Sequence, residues 1–246
     1  MLDRIRKALR RDVPTDSASK DFGPQFPKLD AVMPLIAPED RLARFEMELG
    51  KVSGSTHRAS TSLELEGILG TIIDKSQATG IVLTRNPILG QLKLAEKLRG
   101  RGKSVALWQE SLAGTSGTVE EKSFREQSFL AEIGISGVDF VLAETGSLVL
   151  SSETEGSQLA SLAPPIHVAL YRRQQILSSL DEILERLPVS TGPGSTTAGR
   201  STVFITGPSR TADIEQILIR GVHGPREVHA ILVEESCLAG MGGLQK

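Results

Sequence analysis

Cysteine is nearly absent from this chain: one residue, Cys237, in 246. A lone thiol excludes an internal disulfide and a self-contained cysteine-ligated iron–sulfur cluster, which normally draws four protein ligands. If the protein serves redox chemistry, the electrons travel elsewhere. Charge of one sign is also missing, because 28 Lys and Arg stand against 30 Asp and Glu for a net charge of −2. No broad basic face is therefore available to neutralise phosphates, so nucleic acid is not expected as the principal partner. No apolar window reaches the length of a membrane span, and the basic start MLDRIRKALRRD runs on into polar residues without a signal core. A cytoplasmic protein is the expectation. The Gly/Ser/Thr loop from Thr191 to Arg200 lacks the lysine and spacing of a P-loop, and no G-x-G-x-x-G follows a strand. No HExxH or paired-cysteine motif appears, so no metal site is expected.

What is present reads as α/β. Leu2, Ile5 and Leu9 recur at helical spacing, and Asp12 to Pro38 is a Pro/Ser/Gly-rich stretch expected to be a linker or extended arm. The expected organisation is an N-terminal helix and arm over residues 1–38, then one α/β domain over residues 39–246. Within that domain Pro38 opens a helix carrying Leu42, Phe45 and Leu49 that Gly50 ends, and Thr61 with Glu64 suggests a capping box for the next helix. The apolar run Gly80 to Thr84, a helix from Leu92 to Arg99 and the run Ser104 to Trp108 form a strand, helix, strand series, which implies a right-handed parallel crossover. Phe124 to Ile133 and Ile176 to Leu187 read as helices. Ile166 to Tyr171, Val203 to Ile205 and Val228 to Val233 read as strands. His167 alternates with apolar neighbours in its strand and is expected to be a satisfied core histidine.

Two stretches carry candidate chemistry. In DFVLAETGSLVLSS, from Asp139 to Ser152, two apolar runs are interrupted at Glu144, Thr145, Gly146 and Ser147. A carboxylate there is costly to desolvate unless paired, so Glu144 faces a cleft, a partner or solvent at a turn. The second is ITGPSRTADIE, from Ile205 to Glu215, followed by GVHGPREVH from Gly221. Thr206, Gly207, Pro208 and Ser209 end a strand, and Arg210, Thr211 and Asp213 follow. An arginine fork beside hydroxyls and amides suits an anion, although Asp213 and Glu215 could instead pair with Arg210. His223, Arg226 and His229 lie close together, and histidine is readily tuned for proton transfer, or serves a turn structurally. Glu144 and His223 are the candidate catalytic residues. Thr145, Gly146, Thr206, Gly207, Ser209, Arg210, Thr211, Asp213 and Arg226 are the candidate ligand-binding residues.

On LAETGSLVLSS, PPIHVALY, ITGPSRTADIE and GVHGPREVH the chain resembles the LutC/YkgG family of LUD-domain proteins, the lactate-utilisation protein C group. The resemblance implies a sheet flanked by helices, related to NagB/RpiA, the CoA-transferases and formyltetrahydrofolate cyclo-ligase, with an N-terminal helical extension. It implies work beside two other proteins, one with cysteine-rich repeats and one carrying iron–sulfur clusters, in oxidising L-lactate to pyruvate. This chain would be the subunit without a cluster. Near the place of Gln158 relatives often carry an arginine. Two other functions compete: a stand-alone transferase or ligase acting on an acyl-CoA, nucleotide or folate-like substrate with Glu144 as nucleophile, and a carboxylate sensor or scaffold in which Arg210 recognises a small carboxylate ligand. No cofactor is implied by the residues.

Overall fold

Four apolar runs form the middle of a parallel sheet because each is apolar on both faces, as strands covered by helices on either side must be. The structure, a computed structural model, describes residues 36–108, 119–186, 201–212 and 218–239. The expected N-terminal helix, most of the arm, and the loop from Thr191 to Arg200 lie outside them.

In chain order the elements begin with α1 (Arg41–Lys51), β1 (Ser55–Ala59), α2 (Ser62–Ser76), β2 (Gly80–Leu83), α3 (Pro87–Gln91), α4 (Leu94–Gly100) and β3 (Ser104–Leu107). There follow α5 (Val119–Leu130), β4 (Ile133–Ser136), β5 (Phe140–Leu142), β6 (Ser147–Ser151), α6 (Ser152–Glu155), α7 (Leu159–Leu162) and β7 (Ile166–Tyr171). The last are β8 (Ile176–Leu177), α8 (Leu180–Arg186), β9 (Thr202–Ile205), β10 (Arg210–Ala212), β11 (Leu218–Arg220), β12 (Glu227–Val233) and α9 (Glu235–Ala239).

Six strands in the order β1-β12-β7-β4-β2-β3 make the main sheet, and every pairing in it is parallel. The expected β2–helix–β3 crossover is therefore present. A second sheet, β8-β5-β6-β9, carries the β5–β6 hairpin. Side chains alternate along β7 so that Ile166, Val168 and Leu170 enter one core with α2, α3 and α4, while Ala169 and Tyr171 enter the other with α1 and the second sheet. In that second core the Phe45 ring meets Tyr171 edge-on at 5.3 Å. Each fully buried Leu, Ile or Phe contributes about 1.5–3 kcal/mol by leaving water.

Helix boundaries follow local caps. Thr61 accepts from the Glu64 amide at 3.2 Å, and the Glu64 carboxylate reaches back to the Ser60 amide at 2.7 Å, one residue before the expected partner. α1 runs through Gly50 to Lys51, with Ser53 at φ 68 just beyond, and Pro38 sits in the turn before the helix. Two expected helices are shorter. Ile133 opens β4, because Glu132 ends the preceding segment by accepting from the Thr79 and Gly80 amides at 3.2 and 2.8 Å. Ile176 and Leu177 pair with β5, so only Leu180–Arg186 is helical in that stretch.

Candidate functional site

The parallel strands fix where a crevice must open. From β2 the chain moves outward to β3, then returns to place β4 on the opposite side of β2 and proceeds through β7 to β12. Between β2 and β4 the winding reverses, and loops leaving their carboxyl ends diverge there, which is the usual ligand crevice of open α/β sheets.

Glu155 fills the floor of that crevice. α6 carries it in from β6, and it is fully buried. Its Oε2 accepts from the Thr84 hydroxyl at 2.6 Å, just after β2, and from the Gly137 amide at 3.2 Å, just after β4. Its Oε1 accepts from Asn86 Nδ2. Burial pushes the Glu155 carboxyl above its ordinary range, against the hydrogen bonds from Thr84 and Asn86, and the nearby Asp139 carboxylate adds to the rise. Asn86 in turn accepts from the Ile88 amide at 3.1 Å, capping α3, so one side chain orients both the helix and the acid. A Cβ at Gly137 would lie 2.1 Å from the Asn86 side chain, hence glycine at the β4 exit.

Above this floor lies a cavity of about 240 Å³ lined by Asn86, Gln91, Asp139, Thr154, Arg172 and Gln175 among others. Asp139 accepts from Thr154 Oγ1 at 2.9 Å and from the Ser151 amide at 2.6 Å. Gln175 accepts from the Arg172 amide at 2.7 Å and donates to the Val138 carbonyl at 2.5 Å, while Arg172 bonds Gln91. Arg172 at the mouth can hold a small anion, while Glu155, fully buried and not itself lining the cavity, fixes Thr84 and Asn86 beneath it. Among the described residues no group of three or more His, Cys, Asp or Glu is arranged to hold a metal.

The candidates singled out from sequence cluster elsewhere. β6 and β9 pair antiparallel with Leu148 opposite Ile205, which sets the Glu144–Ser147 turn beside the Thr206 turn. Hydroxyls link them: Thr145 to Ser147 at 2.7 Å and Ser147 to Thr206 at 2.6 Å. Both turns press on the end of α1. Gly146, at φ +68, would put a Cβ 2.2 Å from the Leu49 nitrogen, and Gly207, at φ +81, one 2.7 Å from Val52. Arg210 donates to the Val52 carbonyl and to Ser53 Oγ at 2.8 Å. Glu144 Oε1 accepts from the Leu180 amide at 2.7 Å at the start of α8. Neither Glu144 nor Arg210 lines the crevice cavity. The Ser209 amide donates to the Pro225 carbonyl at 2.8 Å, joining this loop to the exposed turn that holds His223. Thr211 stands opposite Ile219 in the β10–β11 ladder, and Asp213 lies outside the described residues. Arg226 is exposed, 3.8 Å from Glu227, and lines a separate cavity with His57 and His229. Gln158 bonds the Ser201 carbonyl at 3.0 Å. His167 is fully buried, bonded to Ser136 at 2.8 Å, with Nδ1 unpartnered.

Glu155, Asn86, Asp139 and Arg172 escape a reading of the sequence because they sit in short polar connections whose partners come from elsewhere in the chain, 71 positions away for Glu155 and Thr84 and 81 for Arg172 and Gln91. Thr84 and Asn86 immediately after the run GIVL, with Asn86 before a proline, were the available signal of a strand end turning into a capped helix. Among the described residues no helix is long and apolar enough to cross a membrane.

The LUD domain family matches residues 42–233. A "Lactate utilization protein C" of Shouchella clausii is 27% identical over 237 residues, covering 95% of this chain and 96% of that protein. Another of the same name, from Halalkalibacterium halodurans, is 28% identical over 171 residues, 70% of each chain. "Uncharacterized protein YkgG" of Escherichia coli is 29% identical over 155 residues, 63% of each. Among solved structures, a DUF162 family protein from Deinococcus radiodurans superposes with TM-score 0.52 at 18% identity, covering 80% of this chain and 99% of that one, a likeness of fold.

Proposed function

This chain belongs to the LUD domain family, and from that premise we propose that it is a subunit of an assembly oxidising L-lactate to pyruvate, without an iron–sulfur cluster of its own. The observation that carries the reading is its nearly end-to-end match with a lactate utilization protein C, 95% of one chain on 96% of the other. Donor chemistry supports the cluster-free part. With one cysteine in the sequence, already donating its Sγ–H to the Ala59 carbonyl at 3.1 Å inside the core, the chain cannot supply a cluster's thiolates by itself. An iron–sulfur protein and a cysteine-rich-repeat protein would then carry the electrons, and Arg172 at the crevice mouth would meet the substrate carboxylate.

Deleting the gene should abolish growth on L-lactate, the intact chain should restore it, and tagged protein should bring down a cluster-bearing partner. Normal growth on lactate without this chain would refute the reading. Failure of Arg172→Ala to restore growth supports the crevice as the substrate site. A carboxylate-sensing role centred on Arg210 is distinguished by ligand binding that Arg210→Ala removes while growth persists.

A further inference from the structure

At the amino-terminal ends of the same parallel strands, opposite the crevice, lies a second cavity of about 380 Å³. That volume is within the usual range for metabolite and cofactor pockets, about 300–1,000 Å³. His57 of β1 and His229 of β12 form its polar wall, Ile68, Ile72 and Ile166 its apolar one, and Lys75, Arg226 and Glu227 its rim.

The two imidazoles are bonded to each other, His57 Nε2 to His229 Nδ1 at 3.1 Å, with ring centroids 5.4 Å apart and planes 27° from parallel. His229 Nε2 is buried with no hydrogen-bond partner and stands 3.7 Å from Glu227 Oε2, too far for a hydrogen bond but within reach of its charge. A half-satisfied polar pair is more costly inside a protein than an apolar pair of the same shape. Such a pair is accounted for when it acts on something that enters the cavity. Among the described residues Lys75 makes no ion pair, and the Arg226 guanidinium pairs only with Glu227, loosely at 3.8 Å and in solvent. With Lys75 and Arg226 against Glu227 the rim carries a net positive charge before either histidine is protonated. The isoleucine wall favours an anion with an apolar body over a bare inorganic one.

We infer that this cavity is a second binding site, taking a small organic carboxylate whose charge meets Lys75 and Arg226 and whose entry is accompanied by uptake of one proton on the His57–His229 pair. Burial lowers the proton affinity of both rings. For His57 the charges of His229 and Lys75 lower it further, while for His229 Glu227 opposes the fall and Lys75 adds to it. Lys75 comes from α2, Arg226 and Glu227 from the start of β12, and His167 of β7 feels His229 through the sheet. Both rings are thus biased toward the neutral form. A bound carboxylate reverses the balance, so the proton arrives with the ligand from solvent, nothing else being gained or lost.

The sign follows from linkage. A ligand that stays ionised and brings one proton with it binds more tightly as pH falls, by at most about tenfold per pH unit. Calorimetry of the full chain with acetate, pyruvate, L-lactate and inorganic phosphate, at pH 6 and pH 8 and in two buffers of different ionisation heat, tests this directly. At least one carboxylate is expected to bind one-to-one, about tenfold or more tighter at pH 6, with close to one proton taken up. Lys75→Ala, on the exposed rim, should weaken it about fivefold or more with the fold intact. Because the chain has four histidines, the ring signals of His57 and His229 can be told from those of His167 and His223 by NMR, and only the first two should move strongly. Absence of heat and of ring shifts with every carboxylate overturns the inference. So does binding without proton uptake, binding untouched in both Lys75→Ala and His57→Asn, or binding of phosphate alone. Growth on lactate does not enter this test, so its failure and that of the lactate-oxidation reading are separable.

Discussion

Replacing Glu155 removes an acceptor that Thr84, Asn86 and Gly137 share, with Thr154 Oγ1 a more distant fourth donor at 3.5 Å. In Glu155→Ala the Asn86 and Gly137 amides lose their only described acceptor on this side chain, and the Thr84 hydroxyl must turn elsewhere. A buried donor left unsatisfied costs about 1–3 kcal/mol, so the two amides alone imply a loss of about 2–6 kcal/mol. That is a large share of the ~5–15 kcal/mol that holds an ordinary domain together. Glu155→Gln retains the volume and one acceptor but turns an amide donor toward the remaining donors, and it removes titration. The raised proton affinity of Glu155 gives the pH dependence its sign: its contribution is fully present below the ordinary value of 4.5 and is lost as pH rises through the folded-state value. The stability gap between wild type and Glu155→Gln should therefore be widest near pH 4–5 and narrow toward pH 8, with a slope of at most about 1.4 kcal/mol per pH unit. Urea unfolding at a series of pH values, read as midpoint shifts at unchanged m, measures both effects. A loss below about 1 kcal/mol in Glu155→Ala, or a Glu155→Gln gap that widens with rising pH, would refute the reasoning.

Glu144→Ala should cost about 0.5–2 kcal/mol by uncapping α8, whereas Glu144→Gln, which keeps an acceptor for the Leu180 amide, should cost little. Thermal melts of the two variants separate this from a catalytic role, which turnover of an acyl-CoA lost in Glu144→Gln would reveal. For Glu132, burial raises the carboxyl's proton affinity, but the Gly80 and Thr79 amides outweigh it and the net shift is downward. Its stabilisation is present above 4.5 and fades as pH falls through the lowered value, so Glu132→Gln should flatten the acid limb of the unfolding curve between about pH 5 and pH 3.

Three of the four central strands were legible because burial on both faces demands continuous apolar runs, and GIVL, IHVALY and VHAILV supply them; β4, IGIS, is too short and too glycine-broken to stand out from the helix expected before it. Edge strand β1, STHRA, carries no such run: it pairs on one side only, with β12, and its exposed positions accept polar residues. β8 was hidden inside an amphipathic pattern, since two residues beside β5 are too few to show a period. The Glu144 and Thr206 turns were visible from their own glycine and hydroxyl chemistry, and strand pairing does set them side by side. What local sequence does not carry is Glu155, whose surroundings are assembled by the reversal of winding between β2 and β4. His57 and His229 are likewise joined across 172 positions by one strand pairing.

The two glycine turns that grip α1 leave room for hydrogen and nothing larger, at Leu49 on one side and Val52 on the other. A helix seated so tightly cannot swivel or slide by the width of a methyl group without displacing the hairpin or the β9 turn. α1 thus acts as a dowel between the two sheets, its Leu42, Phe45 and Leu49 packed among residues of both.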